Sequence, residues 1–428
     1  MKAVVTAEEQ QREQRAALLR LSLILAVGVV AAVATGVVRT VAVVAAIVVI
    51  IMLHELGHFL TAKWSGMKVT EYFLGFGPRL WSVRRGETEY GIKAIPAGGY
   101  VRIIGMNNLE GVDPADEART YRAATFPRRL LVVSAGSLVH FLLALVLLWV
   151  LLGIVGTYSP TGVSRTVAST TVTGITTPAQ QAGLRPGDEI VAVNGTSLSS
   201  WDQLRPMIEA DAGKAVTITV IRDGQRVDVR AVPRDLVANP VPDQSVQSQV
   251  PKTAGSYGFL GVTPAPLVER VGLLAAVPQA GADFGRAIGS VFTAFHQVFS
   301  KQGLTTYSNA ITGQSAASAQ SGPRFHSIVG ITQLAADAGR SGLRDVLWLL
   351  VVLNIFIGVF NLIPLLPFDG GHIAIAAYER LRSRSGRRYR VDIRKWAPVS
   401  AFVLMALVVV AAVSTWADIF HPPPNPFQ

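Results

Sequence analysis

Hydrophobic residues along the chain gather into five long runs, at residues 21–38, 41–60, 130–155, 347–368 and 398–417, the second interrupted by polar residues near its end. Each run approaches the ~20 residues that a helix needs to cross a bilayer. A spanning segment must satisfy its own backbone, so uninterrupted apolar runs predict helices there. Between the third and fourth runs the pattern changes. Residues 215–222 and 226–232 alternate apolar and polar side chains, which predicts half-buried strands, and the short stretch 189–193 precedes them. Asn194-Gly195 and Asp223-Gly224 are hairpin signals, and residues 200–210 read as a short helix.

The order of these elements, led by Gln181-Ala-Gly-Leu-Arg-Pro-Gly-Asp188, resembles a PDZ domain. Such domains bind an extended peptide by adding it to a sheet edge. The stretch that resembles the carboxylate-binding loop is Gly258-Phe-Leu-Gly-Val262. It lies at the end of the module rather than at its start, so the resemblance is to a circularly permuted form. A small α+β spacer is the plainer alternative. Residues 240–257, rich in Pro, Gln, Ser and Val, read as a loop. Residues 282–299 read as an amphipathic helix lying on a membrane, and residues 308–321 as a flexible Ala/Ser/Gln-rich segment.

Composition supports a membrane protein with an inserted polar module. Half of the 428 residues are hydrophobic and 16% are charged. The net charge of +11 lies largely in two loops. Eleven Lys and Arg fall in residues 63–129 and eight in residues 379–395. Beside apolar spans this places both loops in the cytoplasm and residues 156–342 outside. No base-reading motif accompanies the charge, so nucleic acid is excluded as a partner. With no cysteine, disulfides and thiolate-bound metals are excluded too. Ala32-Val33-Ala34 has the character of a signal-peptidase site. The basic region before it is long for a signal, which favours a retained first span.

The strongest chemical signal is His54-Glu55-Leu56-Gly57-His58 at the end of the second run. On a helix, positions i and i+4 share a face, so both imidazoles reach one ion. Glu55 beside them is placed to take a proton from a metal-bound water. Catalytic zinc needs a third protein ligand and an open position. Asp369 is the obvious donor, in Asn361-Leu-Ile-Pro-Leu-Leu-Pro-Phe-Asp369-Gly-Gly-His372. Pro364 and Pro367 break the helix there, and irregular backbone at membrane depth belongs where it lines a cavity.

Together these motifs resemble the site-2 protease family of intramembrane zinc metalloproteases, most closely the actinobacterial members that cleave anti-sigma factors in regulated intramembrane proteolysis. Gly75-Phe-Gly-Pro78, Arg85-Gly-Glu-Thr-Glu-Tyr90 and Ile95-Pro-Ala-Gly-Gly-Tyr100 resemble the family's membrane-associated hairpin, which helps hold the substrate as a strand. The resemblance runs from about residue 41 to 420. It implies Zn2+ held by His54, His58 and Asp369, Glu55 as general base, and Asn361 and Gly99 at the substrate. Where relatives carry Gly-Pro-x-x-Asn, this chain has Ala135-Gly136-Ser137-Leu138-Val139-His140. His140 then donates to the oxyanion in place of the Asn, approaches the metal, or packs as core.

The expected fold is a polytopic α-helical membrane protein with a membrane-associated β-hairpin region and an inserted α+β PDZ-like domain. The chain opens with a cytoplasmic N-terminus and extra first span (1–38). The catalytic membrane core comes in two segments, 39–155 with the His-Glu-Leu-Gly-His motif and 343–420 with the Asp369 motif. Between them lie the extracytoplasmic PDZ-like domain (156–265) and an amphipathic linker (266–342), and a tail (421–428) follows. The expected partners are the lipid bilayer, single-span membrane substrates such as anti-sigma factors already cut once, and peptide C-termini at the PDZ-like domain. His372, one turn from Asp369, reads as a surface residue with orientation of Asp369 as the alternative. His296, His326 and His421 lack metal spacing. A non-enzymatic PDZ-bearing scaffold with a closed four-ligand site is the rival reading, and a transporter the third.

Overall fold

The apolar runs become helices because nothing inside them interrupts the i to i−4 ladder. With the more polar helices between them, the longer helices are α1 (Ala7–Ala34), α2 (Val38–Trp64), α3 (Phe126–Val150, extended by a π turn over Leu151–Val155), α4 (Ala276–Val298), α5 (Lys301–Thr312), α6 (Ile328–Ser341), α7 (Leu343–Asn361), α8 (Asp369–Arg382) and α9 (Ala397–Phe420). This computed structural model describes residues 7–106, 110–172, 174–251, 253–312, 324–383 and 389–422. Among the described residues four helical stretches are long and apolar enough to span a bilayer: Val38–Trp64, Phe126–Val155, Leu343–Asn361 and Arg394–Phe420. The first run is shorter. Its apolar part, Leu18–Ala34, has 17 residues, or about 25 Å of helix against a hydrocarbon core of about 30 Å. The flexible segment expected at 308–321 begins inside α5, and its residues from 313 onward lie outside the described residues.

The chain divides into two units, Met1–Val155 with Val271–Gln428, and Gly156–Arg270. In the first, α3 and α7 form the centre. Ala144, Leu148 and Leu152 of α3 meet Val351, Ile355 and Val359 of α7. A Cβ at Gly358 would lie 2.6 Å from the Phe141 ring, so this glycine permits the close approach. The expectation that residues 282–299 lie on a membrane surface is modified. The helix there, α4, is amphipathic, but its apolar side packs on protein. Phe284 meets Phe141 at 5.5 Å and Phe295 stacks on Phe356 at 5.7 Å, while Val277 and Phe292 remain exposed.

Between α2 and α3 lie β1 (Val69–Arg85) and β2 (Thr88–Ile103). Both bend, so four arms form. Residues 71–74 of β1 pair with residues 99–102 on one side and 89–92 on the other, and residues 79–85 pair with 88–93. The bend needs glycine: Gly75 has φ +84°, and a Cβ there would lie 2.6 Å from Ile95 O. The arm at 99–103 ends the sheet among the described residues. Ion pairs tie the hairpin tip to the core. Lys63 Nζ lies 2.5 Å from Glu87, and Arg119 lies 2.8 Å from it. The Arg119 guanidinium, with Lys63, holds the Glu87 carboxyl down at about 2.

The second unit is built on a sheet of β3 (Thr157–Ser169), β4 (Glu189–Val193), β5 (Thr196–Ser197), β6 (Val216–Arg222), β7 (Gln225–Ala231) and β10 (Thr263–Glu269), with the short pair β8 (Arg234–Asp235) and β9 (Gly258–Phe259) beside it. The order is β10-β3-β4-β6-β7, with β5 on β4. Both turns read from the sequence have the left-handed geometry that twists a hairpin correctly: Asn194 and Gly195 at φ +49° and +79°, Asp223 and Gly224 at +51° and +77°. Val193, Ile190, Ile218 and Val220 fill its core with Leu204 and Ile208 of the helix Leu204–Ala210.

Candidate metal centre

His54 and His58 share one face of α2, as the i, i+4 spacing requires, and their Nε2 atoms lie 3.2 Å apart. The third donor arrives from far along the chain. Helix α7 stops at Asn361, because Pro364 and Pro367 lack the N–H a further turn needs. The chain turns back through residues 362–368 and restarts as α8 at Asp369. Two glycines make this restart fit. A Cβ at Gly370 would lie 2.3 Å from both Ile363 O and Leu362 O, and one at Gly371 2.6 Å from Leu366 N. The start of α8 therefore nests in the turn, and Asp369 Oδ2 reaches 3.5 Å from His54 Nε2 and 3.3 Å from His58 Nε2.

These atoms have the electronic character of metal donors. His58 Nδ1 lies 2.7 Å from Val132 O. A carbonyl only accepts, so Nδ1 carries the hydrogen and Nε2 presents a lone pair. An ionised Asp369 carries none, so at most one hydrogen, on His54, lies among three converging acceptors. Asp369 Oδ2 and His54 Nδ1 are buried with no hydrogen-bond partner. Such a cluster repels itself unless a cation lies in it. The separations fit: ligands about 2.0–2.2 Å from one tetrahedral ion stand roughly 3.3–3.6 Å from each other. Among the described residues His54, His58 and Asp369 form the one group of three such donors close enough together to hold a metal ion.

Helix α3 shapes the other wall. A Cβ at Gly136 would lie 2.2 Å from His54 Cε1 and 2.5 Å from His58 Nε2. Only glycine lets α3 lie against both imidazoles. On the hairpin side, a Cβ at Gly99 would lie 3.1 Å from Glu55 Cγ, so the last arm of the sheet touches the residue beside the donors. Asn361, half-buried at the end of α7, makes no side-chain hydrogen bond among the described residues. His372 faces a small cavity lined by Tyr121, Arg129 and Glu379, and no hydrogen bond joins it to Asp369. His326 lies 3.2 Å from Asp418, away from the centre.

His140 is fully buried, with its ring centroid 5.0 Å from that of His54. It is not one of the three clustered donors. Its Nδ1 lies 2.9 Å from Asn354 Oδ1. Asn354 donates from Nδ2 to Leu350 O at 2.8 Å, which fixes the amide's orientation. The neutral imidazole thus already uses its one N–H, and the expected donation to an oxyanion is corrected on that ground. Sequence reasoning missed Asn354, although an amide in the middle of an apolar span is itself a signal. It also passed over the Gly136 contact, for which spacing offers none.

A bare-lone-pair metal centre with an adjacent carboxylate, set in helices of spanning length, defines a membrane-embedded metallopeptidase. The chain belongs to peptidase family M50, whose model matches residues 42–407. It is similar to the zinc metalloprotease Rip1 of Mycobacterium tuberculosis strain H37Rv, 35% identical over 394 residues that cover 87% of this chain and 95% of the relative. Rip1 of Mycolicibacterium smegmatis is 32% identical over 407 residues, with the same coverage. A putative zinc metalloprotease of Rhizobium meliloti is 29% identical over 353 residues, covering 78% of this chain and 85% of the relative. The protein is a multi-pass membrane protein and an intramembrane peptidase.

Proposed function

We propose that the chain hydrolyses peptide bonds within the spans of single-span membrane proteins, with one zinc ion held by His54, His58 and Asp369. The triangle of donors at 3.2, 3.3 and 3.5 Å carries this reading. A zinc ion held by these residues would supply Lewis acidity and make a water acidic enough to be deprotonated near neutral pH. Glu55 accepts that proton as general base and returns it to the leaving amine. Val132 O orients His58, and Gly136 keeps both imidazoles in register. The substrate is taken to lie as a strand along residues 99–103, an arm with no further neighbour in the sheet among the described residues, so that Gly99 touches it without a side chain in the way. Asn361 at the end of α7, whose side chain makes no hydrogen bond among the described residues, is assigned to hold the same substrate segment, and His140 lines the centre from α3.

The remaining assignments rest on the same site. Residues 39–155 and 343–420 form the catalytic core, and residues 1–38 a cytoplasmic N-terminus and first span. Residues 156–265 are a PDZ-like domain outside the cytoplasm, 266–342 an amphipathic linker and 421–428 a tail. Support for the PDZ-like reading is that β10 is an edge strand following the Gly258–Val262 stretch, so a peptide C-terminus has an open edge to join. Support for the topology is the basic charge of residues 63–129 and 379–395. Anti-sigma factors already shortened by another protease fit a single-span substrate with a new C-terminus. A scaffold with a structural metal would need a fourth donor, and three converge here among the described residues.

Two variants test the core of this. Glu55→Gln should keep about one zinc per chain and lose about 10²-fold or more in cleavage, because it removes a base and not a ligand. His58→Ala should lose the zinc. Near-normal turnover in the first, or unchanged metal in the second, removes the assigned roles.

A further inference from the structure

His140 is a third imidazole beside the proposed ligands, and its polarity is set by a residue on another helix. His140 and Asn354 are 1% and 0% exposed, so no solvent competes for their hydrogen bonds. Asn354 Nδ2 donates to Leu350 O, the carbonyl one turn back on α7. The opposite end of that amide is therefore its oxygen, and the oxygen faces His140 Nδ1. Nδ1 carries the hydrogen, and Nε2 is left as a lone pair with no hydrogen bond among the described residues.

A lone pair repels an oxyanion and attracts a hydrogen. Two kinds of donor come to a peptidase site: the attacking water and the backbone N–H groups of the substrate. The water already has an acceptor in Glu55, which lies on the hairpin side against Gly99. His140 stands on α3, beside His54 and where α3 meets α7. A substrate segment unwound inside a bilayer carries N–H groups that have lost their helical partners, each costing several kcal/mol if left unmatched. An acceptor beside the metal-type donors is what such a group needs.

We propose that Asn354 is a positioning residue, which presents His140 Nε2 as a hydrogen-bond acceptor for a substrate backbone N–H next to the bond being cut. This rests on the peptidase reading of the site above. It reverses the role of oxyanion donor that the position matching the family's Asn suggests, and it makes His140 and Asn354 one unit that reads the orientation of the peptide plane.

The first test needs no turnover. In full-length enzyme in nanodiscs, labelled with 15N-histidine and assigned by loss of signal in His140→Phe, His140 should show a protonated Nδ1 and an unprotonated Nε2. Asn354→Leu should mix the two tautomers, and Asn354→Asp, which still accepts from Nδ1, should preserve the wild-type form. The second test uses a synthetic single-span peptide in phosphatidylcholine vesicles and analogues in which one amide near the scissile bond is an ester. Replacing the N–H that meets His140 should raise KM roughly 3–10-fold in the wild type, the range of one net hydrogen bond. The same swap should add nothing in His140→Phe. Asn354→Leu should raise KM with zinc content unchanged, and Asn354→Asp should restore it. A protonated Nε2 in the wild type overturns the proposal. So does an ester penalty of equal size in His140→Phe, or loss of zinc in Asn354→Leu. Failure of the peptidase reading would instead show as no cleavage and no zinc in the wild type, with the tautomer unaffected.

Discussion

Replacing Gly136 by Ala adds a single methyl group at the tightest point of the metal centre. The added carbon would lie 2.2 Å from His54 Cε1, 2.5 Å from His58 Nε2 and 2.6 Å from His54 Nδ1. Non-bonded carbons rest about 3.5 Å apart, so His54 or α3 must move by about 1.3 Å. Neither has room. His58 on α2 is tied to Val132 O on α3, one turn before Gly136, and a Cβ at Gly57 already would meet Ala135 O at 3.0 Å. Overpacking of this kind costs about 1–3 kcal/mol in stability. Its effect on chemistry is larger, because ligand positions must hold to about 0.2 Å for a metal site, and a 1 Å displacement of reacting groups costs about 10²-fold in rate. Gly136→Ala should therefore fold, lose most of its zinc and lose cleavage by 10²-fold or more. Zinc content, a thermal melt and cleavage of a single-span substrate measure the three quantities. Gly28→Ala on α1 is the control, since nothing lies within 4 Å of its added carbon. Alanine favours helix by about 0.8–1 kcal/mol over glycine, so this control should be neutral or slightly stabilising. A Gly136→Ala enzyme with full zinc and wild-type turnover would refute the close contact of α3 with both imidazoles.

Other outcomes follow from the inserted unit and the loops. Burial alone would raise the Asp188 carboxyl, but the Arg222 guanidinium at 2.7 Å and the Arg185 N–H outweigh it and hold it below the usual range. A depressed carboxyl contributes stability above its unfolded value near 3.9, and that contribution fades as pH falls through the folded value. Asp188→Asn should cost about 2 kcal/mol at pH 7, and the gap to wild type should narrow below about pH 4; a gap constant with pH refutes the pairing. Single cysteines at Ser199 and Ser385 should label oppositely with an impermeant thiol reagent in intact cells, the first from outside. Equal labelling would contradict the topology, and the absence of native cysteine keeps the readout clean.

Patterns local in sequence were legible because they encode local geometry. The apolar runs from residue 38 onward specify helices by length alone, and a 3.6-residue turn puts His54 and His58 on one face wherever the helix lies. Alternation and two turn dipeptides marked the strands of the inserted unit. Asp369 could be named as a third donor because helix-breaking prolines at membrane depth are costly without a purpose. Other features depend on stretches of the chain brought together only by folding. The nesting of Gly370 and Gly371 into the turn at 362–366, which carries Asp369 to the histidines, is a matter of shape. So is the fit of Gly136 between two imidazoles of another helix. The first span looked complete as a run of residues 21–38, but the helix ends at Ala34, two residues before Gly36 adopts φ +72°. His140 shows the limit most clearly. Its residue type allows a donor or an acceptor, and the choice is made by an amide 214 residues away. A side chain's hydrogen-bonding polarity belongs to its partner as much as to itself, and only the folded chain supplies the partner.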